Sequence, residues 1–95
     1  NNVTSIGKLA FKSYTDLESV TIPESVTSIG EDAFCGCKNL ASVYCKATTP
    51  PLLGGHAFST NASERKIYVP RASVNAYKVA EGWSGYADNI EGYQF

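Results

Sequence analysis

Ninety-five residues make one small domain, and a composition of 43% hydrophobic and 18% charged residues is that of a globular chain, not a disordered one. Eight Lys and Arg against nine Asp and Glu leave a net charge of −1, so nothing marks the chain for nucleic acid or for a phosphate or membrane surface. Its apolar runs are too short for a transmembrane helix, and it opens without the basic and apolar leader of a signal peptide.

The first element is half of a repeat. Shifted by 23 residues, Val3-Thr4-Ser5-Ile6-Gly7 falls on Val26-Thr27-Ser28-Ile29-Gly30. Ala10-Phe11 falls on Ala33-Phe34, Leu17 on Leu40, and Ser19-Val20 on Ser42-Val43, giving ten identities at apolar, glycine and small polar positions. A looser third copy lies 47 residues from the first: Leu53-Gly54 replaces Ile6-Gly7, Ala57-Phe58 replaces Ala10-Phe11, and Ile67-Tyr68-Val69-Pro70 matches Val20-Thr21-Ile22-Pro23. The additional residue sits near Thr48-Thr49-Pro50-Pro51, and Glu64 stands where the earlier copies carry leucine.

Within one unit, Leu17, Val20 and Ile22 put apolar side chains on one face of a short strand, and Pro23 ends it because proline cannot donate to a ladder. Val26 and Ile29 mark a second short extended segment, after which Gly30 is expected to supply a sharp turn. Glu31-Asp32-Ala33-Phe34 reads as a short helical turn with acids at its start and a phenylalanine plugging the interior. One such unit cannot close a core alone, so the units should stack with a parallel strand ladder along one side.

From Ala72 the rhythm stops. Val74, Tyr77 and Ala80 suit a helix of two to three turns over residues 72–81, with Ser73 as its N-cap and Gly82 as its C′ residue. Trp83, Tyr86, Ile90, Tyr93 and Phe95 follow, an apolar cluster expected to cover the last unit. The competing reading is an aromatic platform for sugar rings. With no matching segment at the other end, the chain is expected to be the C-terminal part of a longer protein.

The repeat resembles the BspA-like class of leucine-rich repeats. Val26-Thr27-Ser28-Ile29-Gly30, Ala33-Phe34, Gly36-Cys37, Leu40 and Ser42-Val43 match that pattern, and the first copy departs from it at Ser13-Tyr14. The resemblance implies an α/β solenoid: a short right-handed leucine-rich-repeat superhelix with a parallel strand ladder and a C-terminal helix-plus-aromatic cap. Residues 1–72 would hold the repeats (3–25, 26–48 and a degenerate 49–72), and residues 73–95 the cap. It also implies a non-enzymatic, bacterial, secreted or cell-surface protein for protein recognition or adhesion, with host matrix proteins as the partner class.

Chemistry-bearing residues are sparse. Cys37 matches the buried cysteine of that repeat, Cys45 occupies the inward position of Ile22, and Cys35 aligns with Lys12 and is expected to be exposed. A Cys35–Cys37 or Cys35–Cys45 bridge stays open as an alternative, although a one-residue spacer makes a strained disulfide and a poor metal site. His56 lies alone in a glycine loop, and Glu31-Asp32 are adjacent and do not face each other on a helix. The chain holds no GxSxG, Walker, HExxH or dinucleotide motif, so neither catalysis nor a cofactor or metal is expected. Asn2 and Asn61 begin glycosylation sequons that carry little meaning in a bacterial protein.

What remains is a surface. On the repeat strands the outward positions are Glu18, Ser19 and Thr21, then Ala41, Ser42 and Tyr44, then Arg65, Lys66 and Tyr68. Stacking at about 4.8 Å would align Thr21, Tyr44 and Tyr68 in one ladder beside Arg65 and Lys66. Tyrosine and arginine are enriched at interface anchors, so Tyr44, Tyr68, Arg65, Lys66, Thr21 and Glu18 are the candidate binding residues. The plainer reading is that the tyrosines are strand formers packing sideways. The rival functions are a carbohydrate-binding module using Trp83, Tyr86 and Tyr93, and a spacer ending a repeat array. An unpaired strand edge at Val3–Ile6 and Leu17–Ile22 predicts self-association into a homo-oligomer.

Overall fold

The structure, a computed structural model, describes residues 3–95, so the sequon at Asn2 lies outside the described residues. Two parallel sheets run through the chain. One joins β1 (Ser5–Ile6), β3 (Ser28–Ile29) and β5 (Leu52–Leu53) in that order; the other joins β2 (Ser19–Ile22), β4 (Ser42–Cys45), β6 (Lys66–Pro70) and β7 (Ile90–Tyr93). The register follows the repeat: Ser5 pairs with Ser28 and Ser19 with Ser42, whereas Ser28 pairs with Leu52 and Ser42 with Lys66. The step lengthens by one residue between Cys45, still in register with Ile22, and Leu52, where Thr48-Thr49-Pro50-Pro51 lies.

Between the sheets the chain forms no helical turn at Glu31–Phe34. Leu9 and Ser13, Asp32 and Gly36, His56 and Thr60 all have positive φ, at equivalent places in the three repeats. Alternate N–H groups close tight turns within the unit, as in Ala33 to the Gly30 carbonyl (3.2 Å) and Cys35 to Asp32 (3.2 Å). The others cross to the next repeat: Leu9, Phe11 and Ser13 donate to Glu31, Ala33 and Cys35, and Asp32, Phe34 and Gly36 donate to Gly55, Ala57 and Ser59, at 2.7–3.0 Å. A left-handed residue every fourth position swings the amides outward, which a helix would have kept inside. The acids at Glu31-Asp32 therefore have no helix dipole to complement.

Gly30 does not make its turn through a positive φ. A Cβ there would sit 2.4 Å from the Lys8 nitrogen, and one on Gly54 would sit 2.3 Å from the Glu31 nitrogen. The glycines are needed because the backbone of the preceding repeat lies against them. Gly7, the equivalent residue in the first repeat, has open space on that side.

The core is a column of repeated side chains. Phe11 stacks on Phe34 (centroids 5.2 Å apart, 6° between planes) and Phe34 on Phe58 (5.4 Å, 3°), with Ile22, Ile29, Leu40, Val43 and Ile67 buried around them. Trp83 continues the column, 5.8 Å from Phe58 and fully buried, with its indole N–H donating to the Pro51 carbonyl at 2.8 Å.

The helix of the C-terminal segment is shorter than its apolar spacing predicts. A 3-10 turn, Arg71–Ser73, leads into α1 (Val74–Val79), which ends at an extended Ala80; Gly82, with a φ of 85°, instead begins a 3-10 helix, Trp83–Asn89. Ser73 stands at the N-cap position, but its oxygen accepts from no helix N–H; its hydroxyl donates to the Thr48 carbonyl (2.7 Å). Tyr77 holds α1 to the second repeat: it donates to the Ala47 carbonyl (2.6 Å) and lies 3.3 Å from the Cys45 sulfur. Since the single phenol proton goes to Ala47, the thiol is the donor of that pair.

Candidate functional site: the tyrosine face of the larger sheet

Strand alternation sends Val20, Ile22, Val43, Cys45, Ile67 and Val69 inward and leaves Thr21, Tyr44 and Tyr68 on the opposite face. Parallel register places these three in one row, Thr21 opposite Tyr44 and Tyr44 opposite Tyr68. The two tyrosine rings stack with centroids 5.0 Å apart and 14° between planes, leaving both half-buried. Sideways packing between strand tyrosines is thus present, and it builds the face rather than hiding it.

The fourth strand enlarges the row. Glu91 of β7 pairs with Tyr68 and Tyr93 with Pro70, so Glu91 and Tyr93 share the face. The Tyr93 ring meets both neighbours, 5.4 Å from Tyr44 at 65° and 5.5 Å from Tyr68 at 60°. Phe95 packs 4.9 Å from Tyr93. Beside these rings Thr21, Tyr44, Lys46, Tyr93 and Phe95 line a cleft of about 260 Å³. A second cleft of about 350 Å³ shares Lys46, Tyr93 and Phe95 and adds Glu24, Thr48, Pro70, Arg71 and Gln94.

Lys66 lies on this face and is bound to Glu91 (2.9 Å), whose hydrogen bond and charge raise the ammonium pKa. Arg65 does not belong to the face. Its guanidinium donates to the Phe58 carbonyl and to the Asn61 side-chain oxygen (3.1 Å), and lies 4.8 Å from the centre of the Tyr86 ring. Arg65 and Lys66 part because neighbouring residues at a strand start point to opposite sides. Glu18 precedes β2 and is exposed; among the described residues its side chain makes no ion pair, and it joins no part of the cluster.

Tyr93, Phe95, Lys46 and Glu91 are the residues that sequence reasoning left out of this site. In Ile90-Glu91-Gly92-Tyr93 only Ile90 is buried, and glycine stands at the second inward position, so no apolar alternation marks the strand. The proposed sugar platform loses its central ring, since Trp83 is 0% exposed and Tyr86 is half-buried against Phe58.

The remaining chemistry-bearing groups lie apart from this face. Cys37 and Cys45 are buried and Cys35 is partly so; all three thiols are free. Burial pushes the Cys37 and Cys45 thiols up, so both are poor nucleophiles. Cys37 donates to the Phe11 carbonyl at 3.0 Å. Asn61, at the equivalent position of the third repeat, donates to the Phe34 carbonyl at 2.9 Å, so its amide is engaged inside the fold. His56 is exposed on a turn, 3.4 Å from the Ser59 hydroxyl. No group of His, Cys, Asp and Glu among the described residues could hold a metal, and no helix among them is long and apolar enough to cross a membrane.

No curated protein matches the chain. A family model, described as a BspA-type leucine-rich repeat region of six copies, matches residues 1–80. The stacked phenylalanines, the glycine column and the parallel registers of β1 to β6 lie within that match, and the chain belongs to the BspA-type leucine-rich repeat family.

Proposed function

We propose that this chain is a non-enzymatic recognition module that binds an extracellular protein through the exposed face of its four-stranded sheet. The observation that carries the reading is the cluster of Tyr44, Tyr68 and Tyr93, contributed by three strands to one solvent-facing patch with clefts beside it. Aromatic side chains give large contact area at small cost in side-chain entropy, which suits them to interface anchors. The repeats stack as a short solenoid, and residues 73–95 act as its C-terminal cap. Two features support a cap: Trp83 prolongs the phenylalanine column, and the Tyr86 hydroxyl accepts from the Phe58 N–H at 3.3 Å. Cell-surface or secreted adhesion to matrix-type proteins is the biological setting that the family likeness favours.

The test is a binding screen against matrix proteins and polysaccharides, run beside a Tyr44→Ala/Tyr68→Ala double variant. A protein retained by the parent chain and lost from the variant is the expected result. A polysaccharide whose binding survives the double variant would overturn the reading, and silence across the panel would favour a spacer.

A further inference from the structure

We propose that the groove beside Tyr44 and Tyr93 binds a proline-rich segment in the polyproline II conformation that carries an acidic residue. This rests on the recognition reading above and specifies its partner.

The surface is aromatic and rich in hydrogen-bond donors. Among the described residues, the hydroxyls of Tyr44, Tyr68 and Tyr93 make no hydrogen bond, and Lys46 and Arg71 join no ion pair. Lysine and arginine only donate, and a free phenol donates readily. The backbone of β4 and β6 is committed to ladders on both sides, so a partner lying across this face is read by side chains, and strand addition is open only at the edges, β2 and β7.

The complement of such a surface is an apolar segment with many acceptors and few donors. A proline-rich chain has that property, because proline lacks an N–H and polyproline II leaves every carbonyl without an internal partner. Its rings fill aromatic-walled slots, and its preformed conformation reduces the ordering cost of binding. An amphipathic helix would offer no free carbonyls to these donors. A glycan would bring as many donors as acceptors, and among the described side chains Glu24 is the one carboxylate lining the two clefts.

Charge sets the last requirement. Among the described side chains lining the two clefts, Lys46 and Arg71 against Glu24 leave one positive charge in excess, which one carboxylate on the ligand would match.

The experiment titrates the chain by calorimetry, with amide chemical-shift mapping, using a capped oligoproline peptide interrupted by a single glutamate. One control peptide carries glycine for every proline, and another carries lysine for the glutamate. The glycine peptide should bind at least about tenfold more weakly, since it must be ordered on binding. Tyr44→Ala and Tyr93→Ala should each weaken the parent peptide by about tenfold or more, as anchor truncations do. Lys46→Glu, which leaves the ring packing alone, should remove the preference for glutamate over lysine, and Tyr14→Ala should change nothing. Equal binding of the proline and glycine peptides, shifts mapping away from β4 and β7, or a soluble glycan displacing the peptide would each overturn the proposal. A matrix protein lost from the Tyr44→Ala/Tyr68→Ala variant but not displaced by the oligoproline would also overturn it, while leaving the recognition reading intact.

Discussion

Arg65 does for the carbonyl of Phe58 what Asn61 does for the carbonyl of Phe34. Phe11, Phe34 and Phe58 are equivalent residues of three repeats, and their carbonyls accept in turn from the Cys37 thiol, the Asn61 amide and the Arg65 guanidinium. The first two donors come from the following repeat. For the last phenylalanine no such repeat follows, and a long side chain reaches back to provide the donor. This accounts for a half-buried guanidinium with no carboxylate beside it, which burial alone would make unfavourable. Removing it should therefore affect stability and leave the tyrosine face unchanged. Arg65→Ala is expected to lower unfolding free energy by about 1–3 kcal/mol in a urea titration, with ligand affinity unaltered. An affinity loss without a stability loss would return Arg65 to the binding site.

The glycine column offers a comparison inside one molecule. Gly30→Ala and Gly54→Ala must push apart backbones that now touch, whereas Gly7→Ala meets open space. Overpacking of this kind costs about 1–3 kcal/mol, occasionally more. Thermal denaturation should show two clearly destabilised variants and one close to the parent. Three equal shifts would mean that the glycines serve backbone conformation instead.

Trp83 should behave as a core residue. Its emission is expected to be blue-shifted, insensitive to acrylamide and unmoved by soluble glycans, and Trp83→Ala should cost about 3–5 kcal/mol by chemical denaturation. A tryptophan quenched as readily as a free indole would contradict its burial.

Alkaline pH should destabilise the fold through Tyr77 and Cys45. Burial is the first cause that raises both pKa values, with the nearby thiol adding to the shift of the phenol. A raised native pKa means the native state holds its proton after the unfolded chain has lost one, so unfolding free energy falls as pH rises. The decline should begin above about pH 8.5, where an unfolded thiol ionises, and steepen above about pH 10, where an unfolded phenol does. Melting temperatures from pH 7 to 11 would display it. Tyr77→Phe should flatten the steeper part, at the cost of the hydrogen bond to Ala47; an unchanged slope would implicate other groups.

The first repeat should support weak self-association through one edge only. Lys8, Ala10 and Lys12, equivalent to the acceptors Glu31, Ala33 and Cys35, have carbonyls with no backbone partner among the described residues. Two copies meeting symmetrically there would set acceptors against acceptors. The edge of β2 presents N–H and carbonyl groups alike and can pair with its own copy. Sedimentation equilibrium over a concentration series should reveal a dimer that Ser19→Lys weakens, and a strict monomer at every concentration would refute it.

The sequence alone determined the repeat, its period and its strand register. Inward apolar positions recur at fixed spacing, and a parallel ladder turns that spacing into pairing: Thr21, Tyr44 and Tyr68 align because 23 and then 24 residues separate them. It also determined that Cys37 and Cys45 are interior, since they stand at inward positions of the unit. Tertiary structure alone decided what happens where the period ends. That Arg65 turns toward Phe58 and that Tyr93 returns to the sheet beside Tyr44 and Tyr68 depend on backbone groups and ring faces left open by the last repeat, whereas Trp83 covering that repeat was already legible as part of the terminal apolar cluster. Those open partners are properties of the assembled units, and no local pattern of residues encodes which side chain will reach them.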